Sequence, residues 1–226
     1  MKPGLHTFIA GVTIVALTSV EAHDPINSTV TWTGDIEPLV RARCVGCHVD
    51  GGRGPMPLVT YEDARPWAKA IREEVLTRRM PKWHAARGYG QFANDRSLTP
   101  FEIALVLAWV DGGAVRGPKR DTVESMGAVA YNPGHHGVRQ VNIRCGEQPL
   151  PRGRLLAVRP HLEEGGSAGV SVVLPDGSRE IVAWIRGFEK KFEETYWLQD
   201  PIRLPAGSRL SVESSGRCAL VLALAK

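Results

Sequence analysis

The chain has 226 residues, with 28 Lys and Arg against 24 Asp and Glu, for a formal charge of +4. Charges of both signs alternate and no Lys/Arg run exceeds two residues, which argues against a nucleic-acid binder and leaves at most a bias towards acidic partners. The length suits one large or two small domains.

The N-terminus carries Lys2, an apolar run from Leu5 to Val20, and a small-x-small pattern at Val20-Glu21-Ala22. That run is short for a bilayer-spanning helix, which needs about 20 apolar residues. Residues 1–22 therefore read as a cleaved signal peptide, with an uncleaved anchor as the alternative. No cysteine follows the cleavage site and no later segment could span a membrane, so an exported, periplasmic protein is expected.

Residues 28–117 have a helical pattern. Asp35 to Arg43 has an acid near its start and Pro38 early, as a first helical turn allows. It runs into Cys44-Val45-Gly46-Cys47-His48, the C-x-x-C-H spacing of covalent c-type haem attachment. The chemistry sets this spacing. Two thiols add across the two haem vinyl groups, and the adjacent imidazole becomes the proximal ligand of the iron. No second cysteine pair at zinc spacing accompanies it, and the βαβ setting of a thioredoxin-like pair is missing.

Thr60-Tyr61-Glu62-Asp63 forms a capping box with Asp as its weaker fourth member, and Trp67, Ala70, Ile71, Val75 and Leu76 recur behind it at helical spacing up to Arg79. Thr99-Pro100-Phe101-Glu102 is a full box with proline at the first helical position, and Gly112-Gly113 end that helix. Four methionines bear on the distal ligand. Met1 leaves with the signal peptide. Met56 is only eight residues beyond His48, too close to cross to the distal face, and is assigned to packing. Met126 falls beyond the helical region. Met80, in Arg79-Met80-Pro81-Lys82-Trp83, follows a helix and precedes a proline that fixes an extended loop, and is the expected ligand; His84 is the rival. Small c-type cytochromes, which the motif resembles, use a proline carbonyl to hold the proximal imidazole, and Pro55 is expected in that role. Tyr61, Trp67, Trp83 and Trp109 are candidate pocket walls, though residues of this kind are more often ordinary core.

Residues 118–126 read as a polar linker, and from about 127 to 226 the period changes. Gly169 to Leu174 and Glu180 to Trp184 flank Pro175-Asp176-Gly177-Ser178, which reads as a hairpin. Ile202-Arg203-Leu204 and Arg209 to Glu213 around Pro205-Ala206-Gly207-Ser208 read as a second. Ala219 to Leu224 reads as a buried strand. Cys145 and Cys218 are expected to pair in an oxidising compartment, closing a loop worth about 4 kcal/mol, with buried free thiols as the alternative.

The stretch from Asp35 through the haem motif, Thr60 to Arg65, Arg79 to Trp83, Phe92 to Arg96 and Trp109 to Ala114 resembles a family of bacterial mono-haem cytochrome c domains. In that family the segment is often fused to a domain related to copper type II ascorbate-dependent monooxygenases. Lys82 stands where the family usually has proline. Val158 to His161, Leu174 to Gly177, Phe188 to Tyr196 and Pro201 to Gly207 resemble the second β-sandwich of those copper enzymes. Their copper site uses His-x-His and a distant methionine; here His161 matches the first histidine, Glu163 replaces the second, and no methionine follows Met126. His135-His136 resembles the paired histidines of the other copper site.

Together these readings predict a multidomain α plus β fold: a small all-α, class I-like cytochrome c domain, then an antiparallel β-sandwich (jelly-roll-like) domain. The expected function is a periplasmic carrier of single electrons through one covalent haem c. Its cofactor-binding residues would be Cys44, Cys47, His48, Met80 and Pro55, with His48 and Met80 on the metal and no catalytic residue. Copper is not expected. Partners would be redox proteins or a larger electron-transfer complex, with no nucleic acid and with membrane association through a partner or an uncleaved anchor as the alternative. The rival functions are a haem-copper monooxygenase-like enzyme and a haem subunit of a membrane redox complex.

Overall fold

A computed structural model describes residues 29–118 and 137–226. The expected signal peptide, Met126, His135 and His136 lie outside the described residues, as does nearly all of the expected linker. Among the described residues, no helix is long and apolar enough to cross a membrane.

The helical part starts with a π-helical turn, Trp32–Ile36, capped by Thr31, and continues into α1 (Glu37–Arg43). Both capping boxes form. Thr60 and Asp63 exchange backbone-to-side-chain bonds of 2.9 and 3.1 Å at the start of α2 (Tyr61–Ala64), and Thr99 and Glu102 do so at 2.7 and 3.1 Å at the start of α4 (Pro100–Asp111). The long helix expected from Tyr61 to Arg79 is broken. Pro66 has no N–H to give, so Arg65–Trp67 tightens into a 3₁₀ turn before α3 (Ala68–Leu76). Trp32, Ile36, Leu39, Val40, Leu58, Val75, Val106 and Trp109 form a buried cluster among these elements.

Eight strands follow among the described residues: β1 (Arg139–Arg144), β2 (Gly146–Pro149), β3 (Gly153–Leu162), β4 (Ala168–Val173), β5 (Arg179–Ile185), β6 (Tyr196–Leu204), β7 (Arg209–Ser214) and β8 (Cys218–Ala225). They form two antiparallel sheets, ordered β1-β8-β3-β6 and β2-β7-β4-β5. Leu155, Val158, Leu220 and Leu222 of one sheet and Val170, Val172, Val182 and Leu210 of the other share one buried cluster. The apolar run Ala219 to Leu224 is β8, between β1 and β3. The first expected hairpin is β4–β5, its turn closed by Leu174 N–H to the Ser178 carbonyl at 2.9 Å. The second is not a hairpin. β6 pairs with β3 while β7 pairs with β2 and β4, so Pro205 to Ser208 carries the chain from one sheet to the other. Ser208 already belongs to the new sheet: its carbonyl accepts from Leu150 N–H at 2.9 Å, which extends the β2–β7 pairing by one residue. Cys145 and Cys218 form a disulfide joining the β1–β2 junction to the start of β8.

The expected fold class is corrected. The described residues are mainly the two four-stranded sheets, and the helices are short, with seven, four, nine and twelve residues, so a class I-like all-α cytochrome domain beside a jelly-roll-like sandwich is not what they form. The cause is visible between α3 and α4. Pro81, Gly88 and Gly90 preclude a helix there, and both glycines adopt left-handed φ values of 83° and 84°. The apolar residues of this strap find their burial among the sheets: Ala85 and Phe92 join the sheet core, and Trp83 packs on it. Its backbone bridges one edge strand of each sheet. Ala85 bridges Ile185 of β5, and Phe92 bridges Leu198 of β6. The Asn94 amide completes this second contact like a piece of strand, donating to the Thr195 carbonyl at 2.8 Å and accepting from Trp197 N–H at 3.0 Å. One strap thus covers one of the two edges of each sheet, β5 and β6, which would otherwise present unpaired N–H and C=O groups.

Candidate functional site

The C-x-x-C-H residues sit on the turn that continues α1. Cys47 N–H and His48 N–H both bond the Cys44 carbonyl, at 3.0 and 3.1 Å. Residues three apart on such a turn share a face, so the two thiols fall on one side. Neither is in a disulfide. Burial, with the neighbouring Cys47 adding to it, pushes the Cys44 thiol up to about 12, so it is held neutral.

The loop 49–58 is built around the His48 ring. Gly54 N–H bonds the Cys47 carbonyl at 2.8 Å, and Leu58 N–H bonds the His48 carbonyl at 3.0 Å. This arrangement brings the Met56 carbonyl to 2.9 Å from His48 Nδ1. A carbonyl can only accept, so Nδ1 donates, and the neutral tautomer with this bond has its lone pair on Nε2, the form of imidazole that ligates a metal. The carbonyl expected from Pro55 thus comes from Met56, one residue on. Pro55 has its own use, since it limits the loop conformation that aims the next carbonyl at the ring. Gly54 makes the cradle: a Cβ there would lie 2.6 Å from His48 Nδ1, inside any real contact. Gly54→Ala is therefore expected to displace the imidazole and weaken whatever His48 binds. Compared with Gly88→Ala on the strap, it should change the His48 ring signals in NMR of the unligated chain; unchanged signals would refute the cradle.

Two cations flank the motif. Arg53 Nη2 is 3.6 Å and Arg96 Nη1 is 3.7 Å from Cys47 Sγ. Gly46 leaves the room: a Cβ there would lie 3.3 Å from the Arg96 guanidinium. Both arginines pair with one carboxylate, Glu194, from the segment before β6. Arg53 also donates to the Glu193 carbonyl at 3.4 Å, and the Glu193 carboxylate holds His161 Nδ1 at 2.8 Å. The sheets therefore reach the C-x-x-C-H motif through a charged bridge that local sequence patterns could not reveal. Its only sequence sign was a Glu193-Glu194 pair facing isolated arginines far away in the chain.

Met80 is half-buried beyond α3, its N–H on the Glu74 carbonyl at 3.1 Å, and its side chain joins neither apolar cluster. Its neighbour Arg79 holds Glu74 in an ion pair. His84 is buried, and neither ring nitrogen has a hydrogen-bond partner; burial lowers its pKa and keeps it neutral. Its ring lies 5.6 Å from that of Phe188. Of the candidate pocket walls, Trp109 is core against Trp32, Trp83 packs on Phe92 and Tyr196, Tyr61 donates to the Ala114 carbonyl, and Trp67 is 46% exposed. His161 is committed to Glu193, and Glu163 to Arg217. Among the described residues, no group of three or more His, Cys, Asp or Glu converges as a metal site.

Two clefts of about 280 and 670 Å³ open along the strap, lined by residues such as Arg87, Asp95 and Gln199 in one and Arg179, Glu180 and Asp200 in the other. Neither is lined by a thiol or an imidazole. Two free thiols, an imidazole with a fixed tautomer and a glycine cradle fit the proximal side of a covalently attached haem. The chain matches no protein-family model and no curated protein.

Proposed function

We propose that the protein is an exported, periplasmic c-type cytochrome that carries single electrons and bears one covalent haem on Cys44 and Cys47. His48 is the proximal ligand and Met80 the distal one. The bond from His48 Nδ1–H to the Met56 carbonyl is the observation that carries this reading, because it fixes the ring beside two free thiols in the tautomer that leaves Nε2 for a metal. A bound haem c supplies reversible one-electron chemistry. The chain itself holds the proximal ring through Gly54 and Met56 and shields Cys44 by burial. It meets its redox partners without catalytic side chains, and the sheets serve docking or assembly.

The test is purification from a host that attaches haem c. One haem per chain should remain through denaturing electrophoresis, and the ferric protein should show the weak near-infrared sulfur-to-iron band of methionine ligation. Met80→Ala should abolish that band and open the iron to small added ligands, while His84→Ala should not. A colourless protein would overturn the function, and an exchange of the two mutant phenotypes would move the ligand to His84.

A further inference from the structure

We infer that Glu194, acting through Arg53 and Arg96, sets the reduction potential of the haem at Cys44–His48, so that the sheets tune the redox centre as well as serving docking or assembly. This rests on the proposed haem attachment. Cys47 Sγ would join the macrocycle directly, so groups touching it act at the edge of the redox centre. Two guanidinium nitrogens stand at 3.6 and 3.7 Å from that sulfur. Glu194 Oε1 accepts from both, at 3.2 Å from Arg96 and in a close contact with Arg53.

The Glu194 side chain is 17% exposed, against 36% and 26% for Arg53 and Arg96, so the charges are only partly screened by water. The ion pair with Glu194 holds the Arg53 guanidinium charged against the cost of its partial burial. Reduction adds an electron. Cations at the sulfur favour it, while a carboxylate opposes it and also neutralises those cations. The local sum is one net positive charge, and a single residue from the sheets decides whether it is one or two. The surrounding charges include Glu193, which accepts from Arg53 through its carbonyl and carries His161 and Arg159 on its carboxylate, and the Arg43–Glu102 pair beside Cys44. Glu193 therefore sits one shell further out.

The sign follows. Glu194→Gln keeps a hydrogen-bonding side chain but removes the anion, and should shift the midpoint potential upward. Arg53→Gln and Arg96→Gln each remove a cation while leaving Glu194 one guanidinium partner, and should shift it downward. The double variant R96Q/E194Q should return close to the parent value. Spectroelectrochemical titration of the full haem protein at fixed pH and low ionic strength reads all four, and the near-infrared ligand band checks that the iron's ligands are unchanged. If Glu194→Gln does not fold, the comparison of Arg96→Gln with R96Q/E194Q still isolates the Glu194 charge, and equal potentials in those two would overturn the inference. A haem protein whose potential is unmoved in Glu194→Gln or in the arginine variants, or moves in the opposite sense, overturns the inference alone. A chain without covalent haem overturns the proposed function, and this inference with it.

Discussion

Replacing Cys44 and Cys47 together by alanine is expected to remove all haem that survives denaturing electrophoresis, the largest single effect foreseen for this chain. Thioethers at Cys44 and Cys47 would be the only covalent route from the described residues to a haem, since no other described cysteine is free. Each single replacement leaves one thiol and should retain reduced haem staining. The fold should survive the double change. Cys44 packs only at the margin of the helical cluster, and neither thiol contributes to the core of the sheets. Circular dichroism dominated by the sheets should therefore match the parent while the Soret absorbance disappears. Covalent haem retained in the double variant would sink the central claim, whatever the spectra.

Legibility in the sequence followed the range of the interaction. Capping boxes at Thr60 and Thr99, the β4–β5 turn and the apolar β8 strand each arise within a few residues, so pattern alone reached them. The C-x-x-C-H motif was equally local. The Pro205 to Ser208 corner was misread because turn chemistry fixes a change of direction, not which sheet receives the next strand. The strap from Pro81 to Leu98 was misassigned to a helical domain for a related reason. Its Trp83, Ala85 and Phe92 are apolar, yet nothing within the segment says that their burial partners are more than ninety residues away on β5 and β6. The Met56 carbonyl was missed by one residue because the direction of a loop carbonyl depends on the backbone around Gly54 and Pro55. The partners of Glu194 leave no mark beyond the Glu193-Glu194 pair itself. A carboxylate that pairs with arginines 98 and 141 residues away leaves no local trace of them.

Trp109 and Trp67 look alike in the sequence, since both lie in helical segments and both were candidate haem-pocket walls. The structure separates them, and their alanine variants should part by several kcal/mol. Trp109 is 1% exposed, its ring centroid is 5.7 Å from that of Trp32, and its Nε1–H donates to the Val115 carbonyl at 3.0 Å. Val115 in turn accepts from Trp32 N–H at 2.9 Å, so the indole braces the segment beyond α4 against the start of the helical part. Trp109→Ala leaves a cavity and strips one donor from that carbonyl, and should cost about 3–5 kcal/mol. Against a typical total of about 5–15 kcal/mol, such a loss should bring the helical part to the margin of unfolding. Trp67 is 46% exposed and sits in the 3₁₀ turn after Pro66, where a surface change is worth about 0.5 kcal/mol or less. Denaturant unfolding followed by far-ultraviolet dichroism should show the large shift in midpoint for Trp109→Ala alone. Equal shifts would mean that Trp67 gains its burial from something bound beside it, which would return it to the wall of the haem pocket.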